Sequence, residues 1–94
     1  MSWQIVFTAR AKKELRSVPS SDRIGIYRAL EKLAGDHPNL DIKKLWAEPP
    51  QWRLRVGKWR LIYAKGEASN LTDPKGPPVP TLTVLNVFDR KEGY

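Results

Sequence analysis

The stretch WRLRVGKWRLIY, residues 52–63, decides the fold. Apolar and polar residues alternate strictly over 52–56, the signature of a half-buried strand. Gly57-Lys58 supplies a two-residue turn, with glycine taking the positive φ such a turn demands. A second strand over 59–64 then returns beside the first. A two-residue turn fixes the pairing: Val56 opposite Trp59, Leu54 opposite Leu61 and Trp52 opposite Tyr63, all on one face. Arg55 falls opposite Arg60 and Arg53 opposite Ile62 on the other. One face is therefore a core surface and the other carries three arginines. Like charges directly opposite destabilise a strand pair by up to roughly 1 kcal/mol. A sequence that keeps them either has an anion to place there or lays arginine stems along a solvated face. The hairpin alone leaves both readings open.

Working outward, residues 3–7 read as an opening strand. Thr8 caps a helix whose Ala11, Leu15 and Val18 share one face. Pro19-Ser20-Ser21-Asp22 starts a second helix, with a serine at the N-cap and Asp22 in the first turn. Ile26, Leu30 and Leu33 form its buried stripe, and Gly25 within it marks a close packing contact. Gly35-Asp36-His37-Pro38 ends that helix, which makes His37 a turn residue. Residues 39–46 read as irregular or a short turn of helix, residues 65–80 as a long mobile connection, and residues 81–88 as a central last strand. The predicted class is α+β, in the order β-α-α-β-β-β. An antiparallel sheet of about four strands carries two N-terminal helices on one face and leaves Arg53, Arg55 and Arg60 on the open one. Residues 1–94 read as one domain.

The balance is basic: 17 Lys+Arg against 10 Asp+Glu give a net charge of +7, with a sequence pI near 10.0. That charge implies an anionic partner, and it concentrates over residues 43–60. With no cysteine and a single histidine, thiolate and histidine metal sites are excluded. No run approaches a membrane span and the opening residues lack a signal-peptide pattern, so a cytoplasmic location is expected. No histidine pair, Ser-His-Asp set or glycine-rich phosphate loop is present. Arginine, lysine, tyrosine and scattered carboxylates remain, a set suited to holding a phosphodiester bidentately and stabilising charge on a pentacoordinate phosphate.

The chain resembles the RelE/ParE toxin superfamily of type II toxin–antitoxin systems. The resemblance rests on Phe7-Thr8 with Ala11 and Leu15, His37-Pro38 before Lys44-Leu45, the central residues 52–63, and the terminal Arg90-Lys-Glu-Gly-Tyr94. The central motif is similar to the family's YRLRVGDYRIIY almost position for position. The resemblance implies a RelE-like mRNA interferase: a ribosome-dependent endonuclease that cleaves A-site mRNA, stops translation and is neutralised by an antitoxin. In that chemistry the RNA 2′-OH attacks the adjacent phosphate, leaving a cyclic phosphate and a free 5′-OH, with no metal or organic cofactor.

Carried over by motif, Arg60 and Arg90 hold the scissile phosphate and Arg53 and Arg55 grip RNA and developing charge. Tyr94 stacks on a base or moves a proton, and Lys43, Lys44, Lys58 and Lys91 add RNA contacts. The family uses lysine at the first two positions. Arginine, with a pKa above about 12, is a poor proton shuttle, so the general base stays unassigned. Asp89, where the family often has histidine, is a candidate base or simply the partner of a neighbouring cation. Two other readings stand beside this one: a ParE-like gyrase inhibitor, and an inactive relative that only binds an antitoxin.

Overall fold

In the computed structural model, which describes residues 2–93, the chain runs β1 (Gln4–Phe7), α1 (Ala9–Arg16), α2 (Ser20–Ala34), β2 (Asp41–Leu45), β3 (Gln51–Val56), β4 (Trp59–Ala68), β5 (Val79–Asp89) and the short α3 (Arg90–Gly93). The strands form one sheet in the order β1-β5-β4-β3-β2. The α+β class and the two helices over one face are as expected. The sheet differs from expectation in two respects: it has five strands, and β1 lies parallel to β5, which makes it mixed.

The central hairpin has the register read from the sequence: Trp52 opposite Tyr63, Leu54 opposite Leu61, Arg55 opposite Arg60 and Val56 opposite Trp59. Gly57 sits at φ 59°, in the left-handed region where a Cβ would crowd the following carbonyl. Leu54 and Leu61 are fully buried. They pack with Ala11 and Leu15 of α1, Ile26 and Leu30 of α2, and Val84 of β5 in one cluster. Burying such side chains contributes roughly 1.5–3 kcal/mol each, and it fixes which sheet face the helices cover.

Several local expectations are corrected. Residues 41–45 form a strand rather than irregular chain; β2 is an edge strand with four of its five residues exposed, so it shows no clean alternation. The connection is shorter than residues 65–80, since β4 extends to Ala68 and β5 begins at Val79. The remaining connection is tied to β1: Gln4 Nε2 donates to the Ser69 carbonyl at 2.9 Å and the Leu71 N–H donates to Gln4 Oε1 at 2.8 Å. The N-cap of α2 is Pro19 with no side-chain cap, because the chain turns before the serines. Asp22 does lie in the first turn, where it accepts from Trp59 Nε1 at 3.0 Å and ties the hairpin tip to α2. Gly25 marks no close contact, since nothing lies within 4 Å of where its Cβ would be.

The capping role read for Thr8 holds: its hydroxyl accepts from the Ala11 N–H at 3.1 Å. The same hydroxyl donates to the Leu85 carbonyl at 3.2 Å. This matters for the sheet because the β4–β5 register shifts between Ile62 and Tyr63, whose partners are Asn86 and Val84. Leu85 is the extra residue of that bulge, and bulges bend and re-aim a strand. Two residues further on, the Val87 N–H donates to Glu14 Oε1 at 2.9 Å. The side chains of Thr8 and Glu14 thus satisfy backbone groups at the bulge and just beyond it.

Candidate nucleic-acid interface

Residues directly opposite across neighbouring strands share a face, so the registers define the open face row by row. One row runs Asp41, Arg55, Arg60, Phe88 across β2, β3, β4 and β5; the next runs Lys43, Arg53, Ile62, Asn86. Strands lie about 4.8 Å apart, and alternate residues on a strand about 6.7 Å apart. Three guanidinium-bearing residues therefore stand within one or two strand spacings of each other on the face away from α1 and α2. Arg53 and Arg60 are half-buried and Arg55 is exposed. Ile62, between them, is buried yet stands outside the helix-side core cluster.

The electrostatics are lopsided. Among the described residues, the ion pair made by these arginines is Arg53 Nη2 to Asp41 Oδ1 at 2.9 Å. Arg53 Nε and Arg60 Nη1 are buried without a hydrogen-bond partner. A buried donor left unpaired costs about 1–3 kcal/mol, more when charged. Two such donors on one face, beside a third arginine, form a surface short of protein acceptors.

The other expected site residues are distributed unevenly. Lys43 is opposite Arg53 and joins the arginine face. Lys44 is opposite Trp52, in the row that continues to Tyr63 and Val84 on the helix-covered face. There its Nζ lies 5.8 Å from the Trp52 ring, with Lys65 Nζ closer at 4.4 Å. Lys58, at the hairpin tip, sits 5.3 Å over the Trp59 ring and pairs with Asp89 at 3.6 Å. Arg90 opens α3, two residues beyond Phe88, and its N–H donates to the Lys58 carbonyl at 2.8 Å. Lys91 is exposed next to it. Tyr94 lies outside the described residues.

Asp89 accepts from the Lys91 N–H at 3.0 Å. That bond, followed by the charges of Lys58 and Lys91, holds its carboxyl below the usual carboxylate range. It is thus the partner of neighbouring cations and donors, and a weak base. His37 is exposed in the loop after α2, its Nδ1 3.4 Å from the Asn39 N–H. Among the described residues no group of acids and histidines is arranged to hold a metal ion.

Sequence reasoning missed Asp41, whose role depends on β2 being a strand. No alternation marks β2, since four of its five residues are exposed. Sequence reasoning also missed the state of Tyr63, which stacks on Trp52 with centroids 6.1 Å apart. The Tyr63 hydroxyl is buried without a partner, and burial pushes its pKa up to about 12.

The arrangement of strands and helices has structural counterparts. A chain of the archaeal RelE-RelB complex from Pyrococcus horikoshii OT3 matches with a TM-score of 0.60 at 20% identity, covering 99% of this chain and 100% of that one. A chain of the toxin-antitoxin complex RelBE2 from Mycobacterium tuberculosis matches with a TM-score of 0.67 at 20% identity, covering 96% and 100%. The protein has the RelE fold. A RelB-RelE antitoxin-toxin complex from Methanococcus jannaschii adds a third match, with a TM-score of 0.62, 24% identity and coverage of 92% and 91%. No protein-family model and no curated protein matches the sequence. At these identities the likeness is one of fold, and the arginine face has to be argued from its own chemistry.

Proposed function

We propose that the protein is a RelE-type toxin of a type II toxin–antitoxin system, acting as a ribosome-dependent endonuclease on mRNA. The observation that carries this reading is the acceptor-poor arginine face, with Arg53 Nε and Arg60 Nη1 buried and unpartnered, on a RelE fold. Planar guanidinium forks match phosphate oxygens bidentately. Charge placed where it develops on a pentacoordinate phosphate stabilises the transition state without reorganisation.

In the proposed reaction the RNA 2′-oxygen forms a bond to the adjacent phosphorus while the bond from phosphorus to the 5′-oxygen breaks. The 2′-proton leaves to a base, and the departing 5′-oxygen takes up a proton to become a free hydroxyl. Arg60 binds the scissile phosphate, with Arg90 beside it at the end of β5. Arg53 and Arg55 hold the flanking backbone, and Lys43 extends the cationic face at its β2 edge. Tyr94 belongs to the same proposal by motif. An acidic antitoxin that folds over the basic surface would neutralise the protein, as the net charge of +7 favours.

The test is a cell-free translation reaction programmed with a defined mRNA, run beside a gyrase supercoiling assay. Halted translation with unimpaired supercoiling is the expected result. Unimpaired translation with blocked supercoiling would replace this reading with gyrase inhibition, and no effect in either would leave an antitoxin-binding module.

A further inference from the structure

Asp41 is in register with Arg55, yet its carboxylate reaches diagonally to Arg53, 2.9 Å from Nη2. The two ends of this pair differ in exposure: the Arg53 side chain is 17% exposed and that of Asp41 55%. A half-buried guanidinium is thus held by a carboxylate that water can reach and solvate. The distance is that of a charge-assisted bond. One guanidinium nitrogen is engaged by Asp41, while Nε of the same fork stays buried without a partner. A phosphate oxygen approaching Arg53 as a bidentate acceptor needs the edge of the fork that Asp41 already occupies.

We infer that Asp41 is a built-in counter-ion of the RNA-binding face, which holds Arg53 in place and competes with the phosphodiester backbone for it. The inference rests on the phosphodiester reading above and adds its regulation. In the free protein Asp41 orders the Arg53 fork and offsets part of the repulsion among the three arginines. On binding, phosphate takes over the guanidinium and the exposed carboxylate turns to water. Arg53 is therefore preorganised, but its net gain from RNA is an exchange of one charge-assisted bond for another. Because Asp41 lies on the edge strand β2, a partner that docks along that edge and draws the carboxylate away would also tune the grip on RNA.

The experiment is a salt titration of binding to a fluorescent single-stranded RNA oligonucleotide, using the whole chain. It compares wild type, Asp41→Asn, Arg53→Gln and the double variant, each checked for fold by circular dichroism. Asp41→Asn keeps the volume and removes the charge. It is expected to tighten binding roughly two- to fivefold, the span of a partly exposed ion pair. It is also expected to steepen the slope of log affinity against log salt by about 0.7, the release of one counter-ion that the freed Asp41 carboxylate otherwise offsets. Arg53→Gln then weakens binding more in the Asp41→Asn background than in wild type. Competition by inorganic phosphate reads the same shift without RNA structure.

Weaker binding by Asp41→Asn, or an Arg53→Gln effect equal in both backgrounds, overturns the competition and leaves Asp41 a purely structural partner. Binding that falls with Arg60→Gln but ignores Asp41→Asn refutes this inference alone. Failure of the wild-type protein to bind RNA or phosphate removes the phosphodiester reading and this inference with it.

Discussion

Replacing Tyr63 with phenylalanine removes one oxygen from the middle of β4, and its effect can be worked out from the structure. The hydroxyl is buried and unpartnered, so at neutral pH the native state carries a desolvation cost of about 1–3 kcal/mol that phenylalanine would not. Tyr63→Phe is expected to stabilise the protein by about 1 kcal/mol, the lower end allowing for lost packing where the oxygen was. In a chain of this size that raises Tm by roughly 4–8 °C.

The pH dependence gives a second, independent reading. The native pKa is pushed from 10.0 to about 12, so below pH 10 both folded and unfolded states keep the proton and Tyr63 adds no slope. Between pH 10 and 12 the unfolded chain loses it while the native state retains it, and stability falls as pH rises. The loss is about 1 kcal/mol at pH 11 and about 2 kcal/mol at pH 12. Urea unfolding followed by tryptophan fluorescence, for both proteins at pH 7 and pH 11, isolates this from every group the two proteins share. The gap should widen in favour of the variant at pH 11. A variant less stable by 1 kcal/mol or more at pH 7, with a gap that does not change with pH, would show that the hydroxyl is satisfied and the reasoning wrong.

Other perturbations follow from the same geometry. Thr8→Ala removes the N-cap acceptor of α1 and the donor to the Leu85 carbonyl, and should cost about 1–2 kcal/mol in chemical denaturation. Gly57→Ala forces a Cβ into φ 59° and should cost roughly 1–2 kcal/mol, read as a fall in Tm with an unchanged circular-dichroism spectrum. Asp89 has a lowered native pKa, so its contribution is present above the ordinary carboxylate range and is lost as pH falls through the native value. Asp89→Asn should therefore flatten the acid limb of a stability-versus-pH curve below about pH 4 and leave the alkaline limb unchanged.

What was legible in the sequence was whatever a local pattern encodes. Alternation over residues 52–56 and a glycine suited to positive φ determine the hairpin register to the residue, and with it the face on which Arg53, Arg55 and Arg60 stand. The cap at Thr8 is equally local. The pairing of β1 with β5 is not: Gln4 and Thr81 are partners across almost the whole chain, and nothing near either residue announces it. Strand β2 was hidden because an edge strand exposes both faces and its Asp-Ile-Lys-Lys-Leu lacks a clean period. Missing β2 meant missing Asp41 and the register that puts Lys44 beside Trp52. The Tyr63 hydroxyl was out of reach for a different reason, since whether a buried donor finds an acceptor depends on packing rather than on pattern.

The central claim is that the arginine face performs phosphoryl transfer on ribosome-bound mRNA, with Arg60 at the scissile phosphate. The most direct measurement is primer extension on mRNA held by translating ribosomes, with wild-type protein and Arg60→Ala, together with chemical identification of the new ends. The account predicts cuts within the A-site codon that carry cyclic phosphate and 5′-hydroxyl ends and disappear with Arg60→Ala. Intact mRNA with folded wild-type protein, or cuts that persist undiminished in Arg60→Ala, would contradict it.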